Sequence, residues 1–524
     1  MSEKEKLHST EKVYKPCEYS TENTGNFKSN LAQFYVTFVE CIFLISLGMQ
    51  YVMPTIVVGA LHNKVGDSMA LDDATASWIG SILYFCQPLG SITSGFLSER
   101  FGRKGAMMLV NVPFVAGWIL LYYATSVQGL CIATLTMGLG IGFCEAPIAA
   151  YIGEVSQPHL RGIFTSMTTA ACQLGNFIEL FVGSVFDWRT SALISAVIPL
   201  ISLISFTTIP ESPVWLITKG RMEEAQKALG WLRGFLEPHH VQKEFDEMVR
   251  YAKMSNTLSS EPKENFSEKI PLDSEKIPIK EVSDGWFKQR YRELTNPKLF
   301  LPLRMIFITF FFTQTASLAP FRAYFVRILD QFWFPIQSRW VLVMTGATAF
   351  IGSVTAIFIV QKTGKRRLMI FSMVVNLLAT FILAIYATFF THTVDMTVSW
   401  ILIVTFGISY FVGSLGINNI PWMMLCEVFP VRARGIASGL SAAWSYFVTF
   451  VMTKTFLQTE SLIGLSGMFY MYALISVGAC IYTYLCVPET EGKSLELIET
   501  YFTKSCDRKQ KFRMLKRGRN PSKA

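Results

Sequence analysis

Long apolar runs recur along this chain at a length that admits few folds. Stretches of about 20 mostly apolar residues, enough for a helix to cross the hydrocarbon core of a bilayer, occur near 32–60, 76–97, 106–126, 129–153, 163–186 and 190–209. Six more follow near 300–328, 337–361, 368–391, 396–426, 435–457 and 465–487. The pattern predicts an all-α membrane protein of twelve transmembrane helices, six on each side of a polar stretch. Composition agrees: 16% of the 524 residues are charged, against about 25% in soluble domains, and those charges gather between the runs. The expected divisions are a tail at 1–30, a six-helix bundle at 31–209, a loop with amphipathic helices at 210–298, a second bundle at 299–487 and a basic tail at 488–524.

Lys and Arg in short loops orient such a chain, because basic loops stay in the cytoplasm. Arg100, Arg103 and Lys104 follow the second run, Lys362, Lys365, Arg366 and Arg367 follow the eighth, and the C-terminal tail is strongly basic. The loops on the other side, "TSVQG", "THTVDM" and "QTESLIG", contain none. Both termini and the middle segment are therefore expected in the cytoplasm of a multi-pass plasma-membrane protein. The first thirty residues lack the apolar core of a cleavable signal peptide, so the first run is expected to act as an uncleaved anchor. Ten cysteines show no CxxC and no His/Cys ligand spacing, which gives no basis for zinc or a disulfide framework. In the middle segment, "RMEEAQKALGWLRG", "VQKEFDEMVRYAKM" and "SDGWFKQRYREL" read as amphipathic helices, with a polar, Pro-containing linker before the last. Asn265-Phe266-Ser267 has the glycosylation pattern but falls on the cytoplasmic side.

Three signatures occur twice in the same order. "SERFGRK" (98–104) and "QKTGKRR" (361–367) follow runs two and eight. "EVSQPHLRG" (154–162) and "EVFPVRARG" (427–435) follow runs four and ten. "PESPVWL" (210–216) and "PETEGKSLE" (488–496) follow runs six and twelve. Such repetition implies two equivalent halves, as in transporters that rock about a central site. Glu99, Arg100, Arg103, Glu154, Arg161, Glu211, Arg366, Glu427, Arg434 and Glu489 are the charged members of these signatures. They are expected to latch one half to the other and to part when the inner gate opens.

With these motifs in view, the chain resembles the sugar porter family of the major facilitator superfamily, and looks most like its insect facilitated trehalose transporter-like members. The resemblance covers about 30–500. "GFLSERFGRK" is similar to the superfamily loop G-x-x-x-D-R-x-G-R-R/K, with Glu99 for Asp, and "PESPVWL" to P-E-S-P-R-W-L, with Val214 for Arg. The resemblance implies the major facilitator fold, a small-molecule sugar substrate, a lipid bilayer as surroundings, and no cofactor, nucleic acid or obligate protein partner. It also implies a substrate site made of Gln173 in run five, Gln314 and Ser317 in run seven, and Asn418, Asn419 and Trp422 in run ten. Amides both donate to and accept from sugar hydroxyls, and an indole can stack on the apolar face of the ring. Run seven departs from the family in "QTASLAPFRAYF": Leu318 replaces Gly, Pro320 replaces Asn, and Arg322 adds a charge. Pro320 is expected to kink the helix, and Arg322 either lines the outer gate or snorkels to the interface.

Proton-coupled relatives carry an Asp in run one and an Arg in run four, and Gln50 and Thr134 stand in those places. That favours facilitated diffusion by alternating access. Glu40, Glu145 and Glu179 lie within runs, where ionisable groups are costly and often functional. Three further readings stay open: a transporter of a charged solute, a proton-coupled symporter, and a transport-inactive sensor. No nucleotide loop, metal spacing or nucleophile arrangement supports an enzyme.

Overall fold

The structure is a computed structural model that describes residues 27–62, 69–257, 297–318, 320–330, 336–389, 396–429 and 434–491, with 493, 498, 501 and 502. Cys17, Cys506, the segment "SDGWFKQRYREL", the sequon and the basic tail from 503 onward lie outside the described residues. Helices dominate what is described, and no strand is found there.

The first six crossings are α1 (Phe27–Leu61), α2 (Asp73–Phe101), α3 (Arg103–Tyr122), a pair α4 (Val127–Phe143) and α5 (Glu145–Val155), α6 (Pro158–Val185), and a pair α7 (Trp188–Ser195) and α8 (Val197–Phe206). Three short helices follow: α9 (Pro213–Thr218), α10 (Met222–Leu232) and α11 (Gln242–Thr257). The second set opens with α12 (Pro297–Ala316), a 3₁₀ turn at Pro320–Tyr324 and α13 (Phe325–Asp330). It continues with α14 (Ser338–Thr363), α15 (Lys365–Phe389), then α16 (Met396–Val412), a π turn at Gly413–Ile417 and α17 (Asn419–Val428). The last two crossings are joined in α18 (Arg434–Cys486), which leaves helical geometry at Gly464.

By length and apolarity alone, nine helices among the described residues could cross a membrane. Dividing α18 at Gly464 adds one crossing. The remaining two are α2 and α6, which are less apolar for a reason visible in the packing. Their polar residues point inward: Ser81, Gln87, Ser91 and Ser94 of α2 and Gln173, Asn176 and Glu179 of α6 are buried. Apolar side chains such as Ile92, Phe96, Phe358, Leu378 and Ile481 are exposed on the outside, where lipid would lie. One apolar core gathers Phe43, Phe114, Trp118 and Phe206 from the first six crossings. Another gathers Ile306, Phe310, Met373 and Met424 from the last six. A third is centred on Phe321, Phe325, Phe406 and Tyr472 and reaches Val52 and Leu180 of the first set.

Small residues let backbones approach within this packing. A Cβ placed on Gly48 would sit 2.0 Å from the Cys172 carbonyl oxygen, and one on Gly175 would sit 2.1 Å from that of Ile45, so α1 and α6 are in backbone contact there. The helices α9–α11 form a small satellite around Trp215, Leu229, Val241 and Phe245. Arg233 and Glu244, 2.6 Å apart, tie α10 to α11.

Candidate functional site

The repeated signatures build the same local structure twice. Gly102, at φ +89°, turns the chain between α2 and α3 with no other linking residue. The exposed N–H groups at the start of α3 then meet Glu211, which accepts from the amides of Arg103 (2.9 Å) and Lys104 (3.1 Å). A carboxylate there caps the helix and complements its dipole. The Arg103 guanidinium forks onto Glu154, with Nη2 2.7 Å from Oε1 and Nε 3.1 Å from Oε2. In the second half, Gly364 (φ +85°) makes the turn, and Glu489 accepts from the amides of Lys365 (3.0 Å) and Arg366 (3.2 Å). Lys365 Nζ pairs with Glu427, and with Glu491 at 2.9 Å. Arg103, Glu154 and Glu211 thus correspond to Lys365, Glu427 and Glu489.

These ion pairs correct one expectation. Arg103–Glu154 and Lys365–Glu427 run within a half and not from one half to the other. The one-residue turn places each helix start beside its own bundle's carboxylates, which satisfies the charges locally. Glu99 and Arg100 are exposed, and it is the Glu99 carbonyl that is used, by Trp215 Nε1 at 3.1 Å. Arg366 donates to the Tyr484 carbonyl at 2.6 Å. Arg161 donates to the Gly153 carbonyl at 3.0 Å and lines a cavity shared with Lys365, Glu427 and Glu491 of the other half. The side chain of Arg434 lies outside the described residues. At the opposite end of the molecule an ion pair does join the halves: Asp73 of α2 and Arg327 of α13 are 3.3 Å apart. Beside it, Lys454 Nζ stands 3.9 Å over the Trp78 ring.

Between these ends the halves meet through polar side chains. Gln173 Nε2 donates to Ser414 Oγ at 3.1 Å and its carbonyl accepts from Asn176 at 2.6 Å. The Tyr51 hydroxyl donates to that of Tyr446 at 2.9 Å, and Tyr446 donates to Glu145. Alongside lies a narrow cavity lined by Ser317, Arg322, Asn376, Tyr410, Ser414 and Asn418 among others.

Two interrupted helices shape this cavity. α12 stops at Ala316, and the chain resumes as 3₁₀ from Pro320, so Pro320 accompanies a break rather than a bend. The wide π turn Gly413–Ile417, closed by Asn418 N to Gly413 O at 2.8 Å, interrupts the tenth crossing. Such turns are frequent at functional sites.

Ser317 and Asn418 face the cavity, and Gln173 stands beside it through Ser414. Asn419 does not face it: its amide donates to Ser353 Oγ at 3.2 Å and to the Ser414 carbonyl. Successive helical residues point about 100° apart, and here Asn419 is turned toward Ser353 while Asn418 lines the cavity. Gln314 donates to Ser445 Oγ at 2.9 Å. Trp422 packs edge-on to Phe310, with centroids 5.0 Å apart, and beside Tyr446 at 5.9 Å. Arg322 lines the cavity and does not snorkel outward. Sequence reasoning missed Asn376, Ser409, Tyr410, Ser414 and Tyr446; the signal was polar residues placed inside apolar runs. Glu179 is held by Ser191 (2.7 Å) and Ser195 of α7, a structural role within one half. No group of three or more His, Cys, Asp or Glu able to hold a metal is found among the described residues.

The sequence profile described as "Sugar (and other) transporter" matches residues 27–502. The chain belongs to this family. It is 29% identical over 463 residues to a Facilitated trehalose transporter Tret1 of Apis mellifera ligustica, covering 88% of this chain and 85% of that one. It is 27% identical over 504 residues to the Bombyx mori protein of the same name, covering 94% and 93%. Among solved structures, the proton:xylose symporter XylE bound to 6-bromo-6-deoxy-D-glucose superposes with TM-score 0.70 at 18% identity, covering 90% of this chain and 100% of that one. A partially occluded inward-open form of the xylose transporter XylE from E. coli gives 0.68 at 18%, covering 88% and 100%. These neighbours share the twelve-helix major facilitator fold, which this sugar porter family member adopts.

Proposed function

We propose that the protein carries a sugar, trehalose or a hexose, across the plasma membrane by alternating access, as a facilitative uniporter and not as an enzyme. Both termini face the cytoplasm in this reading, and the two halves divide at the polar stretch 210–298. The observation that carries it is the set of breakable polar contacts between halves, Gln173–Ser414 and Tyr51–Tyr446, beside the cavity. Such contacts can exchange for sugar hydroxyls and re-form as the halves rock. In this scheme Gln173, Gln314, Ser317, Asn418 and Trp422 contact the cargo. Asn419 supports the π turn that carries Asn418, and the two capped helix starts keep each half rigid during rocking. The mode follows from neutral side chains at two positions: Gln50 is buried, and the Thr134 hydroxyl is tied to the Leu130 carbonyl at 2.8 Å.

Uptake of labelled trehalose, glucose and fructose into proteoliposomes tests both parts. Saturable uptake that equilibrates and ignores a protonophore is expected. Accumulation that collapses with the proton gradient would overturn uniport, and no uptake of any sugar would overturn the function.

A further inference from the structure

Arg322 is a charged residue at the cavity that neutral-sugar transport leaves without a task. Its backbone is pinned on both sides: Phe321 is fully buried and stacks on Phe469 at 5.1 Å, and the Tyr324 hydroxyl donates to the Thr453 carbonyl at 3.1 Å. The guanidinium is thereby held against the central cavity. It has neither an ion pair nor a hydrogen bond among the described residues, whereas Arg327, five positions on, pairs with Asp73. The intramembrane carboxylates are not its counter-ions: Glu145 is taken by Tyr446, and Glu179 by Ser191 and Ser195. Glu40 is fully buried in α1, its oxygens unpartnered by Arg322 or any other group. Near the guanidinium, Ser409 Oγ and Tyr410 Oη are buried without a protein partner, and Asn418 completes the polar lining.

A guanidinium half-withdrawn from solvent against a cavity, with no counter-ion, leaves its charge uncompensated unless something supplies a negative one. The cavity offers one planar guanidinium, suited to a carboxylate fork, and several neutral hydroxyls and amides, suited to a polyol. We propose that the cargo bears a single negative charge: a sugar acid, whose carboxylate takes the Arg322 fork while Ser409, Tyr410 and Asn418 take ring hydroxyls. One guanidinium balances one charge, so a phosphate dianion would leave a charge unpaired. The proposal rests on the sugar-transport reading of the same cavity and moves the preferred cargo from a neutral sugar to its acid.

The test compares glucose with glucuronate, which differ at one carbon, in proteoliposomes of the full chain. Wild type should prefer glucuronate in kcat/KM by about tenfold or more, and a glucuronate gradient should drive a current that a glucose gradient does not. Arg322→Gln should lose that preference while retaining glucose uptake, and Arg322→Lys should fall between, since a lysine keeps the charge but not the fork. Wild type that carries glucose as well as glucuronate, or a preference unchanged in Arg322→Gln, would overturn the inference and leave sugar transport standing. The wild-type current decides the matter even where a variant fails to fold: uptake of glucose with no glucuronate current overturns the inference. Absence of any sugar uptake would remove both.

Discussion

At the scale of single residues, position along a helix decides between cargo contact and support. Asn418 and Asn419 are neighbours in sequence, yet one faces the cavity and the other holds the π turn. Replacing them separately should therefore give different kinetics. Asn418→Ala is expected to raise KM a few-fold, the worth of about one neutral hydrogen bond. Asn419→Ala leaves Ser353 and the Ser414 carbonyl without their donor and should lower thermal stability by roughly 1–3 kcal/mol. Initial-rate kinetics beside melting in detergent separates the two. Equal KM effects with no stability difference would contradict the assignment. Gln173→Ala belongs with Asn418, because its amide bridges to Ser414 across the halves.

At the scale of elements, the repeated helix start makes a paired prediction. A Cβ on Gly102 would come within 2.2 Å of Glu211 Oε2, and one on Gly364 within 2.4 Å of Glu489 Oε2. Both glycines also have positive φ, costly for other residues. Gly102→Ala and Gly364→Ala should each destabilise the protein by roughly 1–3 kcal/mol, read as a lowered melting temperature. If only one does so, the two helix starts are not equivalent. At the other end, Asp73 and Arg327 have side-chain exposures of 60% and 30%, so their pair is worth at most about 1 kcal/mol. Arg327→Gln should shift the balance of the halves toward outer opening by no more than about fivefold. Distances between spin labels on the outer ends of α2 and α13 would measure it, and no change in the distribution would remove the pair as a latch.

At the scale of the whole molecule, twelve crossings put both termini on one side. Impermeant cysteine labelling of intact cells should miss sites placed in the N- and C-terminal tails and reach sites near Ser461. Labelling of only one tail would break the twelve-helix reading. The ion pairs carry a similar lesson about rigidity. Arg103–Glu154 and Lys365–Glu427 strengthen each half, while the described contacts across the centre are mostly neutral hydrogen bonds. Neutral contacts exchange at low cost, which suits a junction that must open and close in every cycle.

The sequence by itself determined the membrane, the crossings and the repeat. Apolar run length is imposed by the bilayer, and Gly, Glu and a basic residue recur because each half must turn and cap the same helix. It also marked run seven as the place of departure, through Pro320 and Arg322. Only the tertiary structure decided which partners meet. The charge signatures alone could not tell an intra-half pair from an inter-half one, because partners far apart in sequence are set by helix packing. Nor could spacing show that Asn419 turns to Ser353, that Tyr446 bridges Tyr51 and Glu145, or that Arg322 faces the cavity. Those outcomes depend on where α12 and the tenth crossing lose regular helical geometry, and a break of that kind redirects every side chain beyond it.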